Sequence, residues 1–143
     1  MQRSVAVFLC LIAGLLVAAD APKQDGSKDK EKLPGTWKVT SITVNGKVIA
    51  DPKEFKNMEW EITADKIKWS YGPEFLYKLR PTAQPSEMDL IFPENPTEIT
   101  PGIYSLKDDD LKVIIGKENA PTDFTADAGS RRFLYVMKRV KKK

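Results

Sequence analysis

Residues 58–80 read MEWEITADKIKWSYGPEFLYKLR, and this stretch decides the fold class. Met58, Trp60 and Ile62 alternate with Glu59 and Glu61. Ile67, Trp69 and Tyr71 alternate with Lys66, Lys68 and Ser70, while Phe75, Tyr77 and Leu79 oppose Lys78 and Arg80. In an extended chain successive side chains point to opposite faces, so each run has one apolar and one solvated side. Ala64-Asp65 and Gly72-Pro73 supply the turns. Links this short join antiparallel neighbours, because a parallel pair needs a long crossover.

The same period continues in both directions. Trp37 to Val44 reads as the first strand, but Trp37 and Val39 fall on one face and Ile42 and Val44 on the other. A bulge near Thr40-Ser41 reconciles them, since one extra residue shifts the register. Asn45-Gly46 is a tight-turn signal. Asp51-Pro52-Lys53-Glu54-Phe55 reads as a short helix start, with Asp51 as N-cap and Pro52 at the first position. Beyond the loop from Pro81 to Pro85, Met88, Leu90 and Phe92 form an inward set against Asp89 and Ile91. Pro93-Glu94-Asn95-Pro96 interrupts the pattern. Three further strands are expected at Gly102 to Leu106, Leu111 to Ile115 and Phe133 to Val140, with Asp108-Asp109-Asp110 turning between the first two. The expected fold is all-β: an antiparallel up-and-down barrel of about eight strands, with one short helix after the first strand.

The N-terminus has a different character. Met1-Gln2-Arg3 is a short positive start, Val5 to Val17 is unbroken by charge, and Val17-Ala18-Ala19 suits cleavage before Asp20. These are the three parts of a secretory signal peptide, too short to span a bilayer. Cys10 sits in the middle of the apolar run, where a lipid-anchored precursor would carry its Cys at the end. The expected division is residues 1–19 as signal peptide, 20–32 as a flexible charged leader, and 33–143 as the barrel domain, exported to the periplasm or beyond. No transmembrane segment is expected in the mature form.

Composition narrows the chemistry. The 143-residue chain has no His, and its one Cys lies within residues 1–19. The mature form therefore lacks Cys/His zinc sites, disulfides and Ser-His or Cys-His nucleophile pairs. Without Arg3 the 23 basic residues become 22 against 20 acidic, too balanced to imply nucleic acid as a partner. No cofactor, no metal and no enzymatic activity are expected.

Gly35-Thr36-Trp37 at the first strand resembles the Gly-x-Trp opening of lipocalins and of the related fatty-acid-binding proteins, the calycin-like barrels. More of the chain resembles a small lipocalin-like exported domain abundant in planctomycete bacteria. That likeness rests on Leu33 to Trp37, Asn45 to Lys47, Gly102 to Tyr104 and Lys138-Arg139. The resemblance implies a barrel whose last strand sends a basic residue, Arg139 or Arg132, across Trp37. Gly35, Trp37 and Arg139 are the expected closure residues. It implies a fold and leaves the function open.

Trp60, Trp69, Tyr71, Phe75, Tyr77, Phe92 and Tyr104 are assigned to inward faces. Two readings stay open for them. They line a cavity for a small apolar or amphipathic ligand, or they fill the barrel, whose eight-strand interior is just large enough for either. In the second reading the protein works through its surface. The basic tail of Lys138, Arg139 and Lys141 to Lys143 would then meet a protein or an anionic envelope component. Asp108 to Asp110 lacks the alternating spacing of a calcium loop. Glu59 and Glu61 are read as a solvated face rather than a catalytic pair.

Overall fold

The computed structural model describes residues 28–51, 53–55 and 57–141. Among the described residues a single helical turn, α1 (Asp29–Lys32), precedes nine strands. These are β1 (Gly35–Val44), β2 (Lys47–Ile49), β3 (Glu59–Ile62), β4 (Lys66–Trp69), β5 (Glu74–Arg80), β6 (Glu87–Phe92), β7 (Asn95–Lys107), β8 (Asp110–Gly116) and β9 (Arg132–Arg139). From β3 to β9 each strand pairs antiparallel with the next, and β1 pairs with both β3 and β9. The sheet thereby closes into the expected barrel and removes its edges. β2 is an appendage: it pairs with Ile42 to Val44, beyond the Gly35 to Lys38 segment that pairs with β3.

The bulge falls where the broken parity of β1 places it. Val39 pairs with Met137 and Ser41 with Val136, leaving Thr40 as the extra residue. The Thr40 hydroxyl donates to the Val136 carbonyl at 3.1 Å, holding the bulge onto β9. Trp37, Val39 and Ile42 are all buried as a result. Asn45 and Gly46 carry φ of 52° and 76°, the pair of left-handed residues that a two-residue hairpin turn of this kind requires. Asp108, with φ of 55°, turns β7 into β8.

Four expectations are corrected. The short helix lies before the first strand, not after it. Pro52 lies outside the described residues; beside it the Asp51 carboxylate accepts from the Lys53 amide at 2.9 Å and the Asp51 carbonyl from the Glu54 amide at 2.9 Å, and Lys53 to Phe55 form a turn. The folded part starts ahead of Leu33, because Asp29–Lys32 packs on the barrel with Asp29 buried. Tyr71 is not inward. β4 ends at Trp69, the chain folds with Gly72 close over the Trp69 ring, and Tyr71 is left 67% exposed. Finally, β7 begins at Asn95, so Pro93 to Pro96 is a hairpin turn running into a long strand. The expected signal peptide and most of the leader lie outside the described residues.

Alternation also understates burial on the outside of the barrel. Asp89 and Ile91 face outward yet are buried. Asp89 receives both Arg80 amino groups, at 2.8 and 3.1 Å, and Glu87 takes the Arg80 Nε. On β7 to β9 the connection between β8 and β9 folds back. It lays Phe124 and Ala126 over Ile103, Ile114 and Leu134. The Ala126 carbonyl accepts from the Gly46 amide at 2.7 Å, tying this strap to the β1–β2 turn.

The two barrel ends differ. At one end, α1 and Leu33 plug the opening. The Tyr104 hydroxyl donates to Asp29 Oδ2 at 2.8 Å, and Trp37 Nε1 to the Leu33 carbonyl at 2.9 Å. Arg139 lies over Trp37 and donates to the Pro34 carbonyl at 3.1 Å and to the Lys32 carbonyl. Arg132 is elsewhere, 3.6 Å from Asp123, so Arg139 is the closing residue. Above this plug Trp37, Trp60, Ile67, Met88, Leu111 and Met137 are fully buried, and the lower half of the interior is solid.

Candidate functional site

The opposite end is open. The C-terminal ends of β4, β6 and β8 and the N-terminal ends of β5, β7 and β9 surround a cavity of about 420 Å³. That is near the small end of the range typical of ligand pockets, about 300–1,000 Å³. Inward positions on six strands build its wall, and the rings among them are in direct contact. Trp69 and Phe75 centroids are 4.9 Å apart, Phe75 and Phe92 4.8 Å, and Trp69 and Tyr135 5.6 Å. Trp60 backs this wall, stacked on Trp69 at 5.1 Å and tilted against Tyr135 at 5.0 Å. Tilted and offset-stacked rings attract through their quadrupoles, about 0.5–1.5 kcal/mol per pair beyond burial. The wall is therefore held in shape by its own contacts.

The residues expected inside divide three ways. Trp69, Phe75 and Phe92 line the cavity. Trp60, Tyr77 and Tyr104 are buried in the packed part, where the Tyr77 hydroxyl donates to the Thr63 carbonyl at 2.7 Å. Tyr71 is outside. Sequence reasoning missed Phe133, Tyr135 and Thr100, which also line it. The alternation of β9 carried the signal for the first two. Thr100 lay hidden because β7 was expected to start at Gly102.

Polar groups are sparse in the cavity. Glu98 and Lys117 stand at its mouth, both exposed and not paired with each other. Deeper in, Tyr135 is buried, and burial alone pushes its phenol up to about 12. Burial and then the Asp29 carboxylate raise Tyr104, and burial and then Asp65 raise Tyr77. All three phenols stay protonated at neutral pH. The indole N–H groups of Trp60 and Trp69 are occluded from solvent with no acceptor among the described residues. Each such unmade bond costs about 1–3 kcal/mol.

The other expected features do not converge on this site. Glu59 and Glu61 lie on the outer face of β3, Glu59 half-buried and Glu61 paired across the strands with Lys68. Lys138 and Lys141 sit 3.8 and 3.7 Å from Asp110 and Asp109. The acidic turn thus faces Lys138 at the end of β9 and Lys141 after it, while Lys142 and Lys143 of the expected basic tail lie outside the described residues. Among the described residues no group of acidic side chains could hold a metal ion, and no helix is long and apolar enough to cross a membrane.

Fold and site together define a closed antiparallel β-barrel, plugged at one end and cupped at the other. Comparison with family models, curated proteins and solved structures returns no match.

Proposed function

We propose that this protein is an exported, non-catalytic binding module that holds a small apolar or amphipathic molecule in its aromatic cup. The aromatic-walled cavity of about 420 Å³, open at one barrel end, carries this reading. An apolar hollow that stays in place in water gains free energy when a ligand's apolar surface displaces its solvent, at about 25 cal/mol per Å² buried. The cup is too small for a long acyl chain and its walls are rings, so it favours ring-sized or short-chain molecules. The sequence reading of residues 1–19 supports export, and the lack of His and Cys after residue 19 supports binding without catalysis.

Titration with small apolar compounds tests this. Trp69 lines the cavity and Trp60 stacks on it, so a bound molecule alters indole emission saturably at one site per chain. If a broad panel of apolar and amphipathic probes leaves Trp emission and the melting temperature unchanged, the reading fails.

A further inference from the structure

The cup's polar groups say what kind of molecule suits it. Tyr135 is 6% exposed, stands on the inward face of β9 and lines the cavity. Its hydroxyl makes no hydrogen bond with the described residues, and it is not among the side-chain atoms sealed from solvent. A hydroxyl on a buried ring that finds no protein partner is uncommon, because buried polar groups are mostly paired within the protein. The residue lines the hollow and its hydroxyl is not sealed, so water or a ligand group in the hollow can pair with it. The half-buried Thr100 adds a second uncharged hydroxyl to the wall.

Charge is kept to the mouth. Glu98 and Lys117 are of opposite sign and both exposed, so solvent and salt screen them at the mouth. An ionised group drawn down to Tyr135 would lose its hydration against aromatic walls with no counter-charge beside it. A neutral hydrogen-bonding group meets no such penalty.

Resting on the binding reading above, we infer that the cup selects a neutral, ring-sized aromatic molecule carrying one hydrogen-bonding oxygen, a phenol or an aryl ketone, whose oxygen pairs with the Tyr135 hydroxyl. The ring lies among Trp69, Phe75 and Phe92. A carboxylate of the same size binds more weakly.

The test is calorimetric titration of the full chain with 4-propylphenol, propylbenzene and 3-phenylpropanoate, repeated on Tyr135→Phe. The phenol should bind wild type roughly 2- to 12-fold more tightly than propylbenzene, the span of one net hydrogen bond. The carboxylate should bind more weakly than the phenol. In Tyr135→Phe the advantage of the phenol should vanish while propylbenzene affinity is kept. If propylbenzene and the phenol bind wild type equally, or the carboxylate binds most tightly, the inference is overturned and the binding reading survives. If none of the three binds and the wider probe panel also fails, both fall. Should Tyr135→Phe not fold, the wild-type ranking alone decides.

Discussion

The Arg139 guanidinium carbon lies 4.2 Å from the centre of the Trp37 ring, so the end of the last strand covers the beginning of the first. The contact joins residues at opposite ends of the barrel's chain, at the place where the sheet closes. Gly35 makes room for it: a Cβ there would stand 2.7 Å from Arg139 Nη1.

Removing this cap should be expensive. Arg139→Ala loses the cation–π contact and charge-assisted bonds to two backbone carbonyls, leaving those carbonyls poorly matched. We expect a loss of about 3 kcal/mol in urea unfolding. Arg132→Ala, which breaks only a partly exposed pair with Asp123, should cost under about 1 kcal/mol. Equal effects would show that closure does not depend on Arg139.

Gly35→Ala should destabilise for two reasons at once. Its φ of 143° is a conformation that L side chains avoid, and the new methyl would collide with the guanidinium. A loss of about 1–3 kcal/mol is expected. In Gly35→Ala/Arg139→Ala the collision disappears, so the combined loss should be smaller than the two single losses added together.

The plug at the same end depends on Asp29 and Tyr104. Tyr104→Phe leaves a buried carboxylate without its donor and should cost about 2–3 kcal/mol in urea unfolding. Asp29→Asn keeps an acceptor for the hydroxyl and should cost less. The reverse order would mean that the charge of Asp29 matters more than its bond to Tyr104.

Alkaline pH should unfold the protein through its tyrosines. A phenol is neutral when protonated, and Tyr135 moves from 10.0 unfolded to about 12 folded, so the folded state holds that proton more tightly. Its contribution is fully present below pH 10 and is lost as pH rises through about 12. For Tyr135 this amounts to about 2–3 kcal/mol, at 1.36 kcal/mol per pKa unit. Tyr77 and Tyr104 shift in the same direction and add to the loss. Melting curves from pH 9 to 12 should fall less steeply for Tyr135→Phe than for wild type.

Filling the cup should abolish binding without unfolding the barrel. Thr100 is half-buried on the cavity wall, so Thr100→Trp projects a large ring into the hollow. Probe binding should drop at least tenfold while the melting temperature holds or rises. Unchanged binding would place the ligand somewhere else.

The barrel could be read from the chain because its strands bury one face each. Trp60, Ile62, Ile67, Phe75, Tyr77, Met88 and Leu90 alternate cleanly, and all are buried. Even the bulge at Thr40 was visible, since Trp37 and Ile42 could not otherwise share an interior. Failures came where alternation outlived the strand. Tyr71 continues the parity of Ile67 and Trp69, but the backbone has already turned at Gly72. Asp89, Ile91, Ile103 and Ile114 are buried on the outer face for reasons no local pattern holds: an arginine from β5 and a strap from the β8–β9 connection.

Period-two alternation and turn chemistry settle the all-β class and the bulge, because those depend on neighbours along the chain and on one repeated face; the closure at Trp37 was only implied by resemblance, and the tertiary structure chose Arg139 over Arg132. Whether the aromatic interior is filled or hollow depends on how six strands converge in space. The tertiary structure makes it both, packed solid above the Asp29–Tyr104 plug and open where Trp69, Phe92 and Tyr135 meet, since side-chain volume is summed across strands that the sequence presents only one at a time.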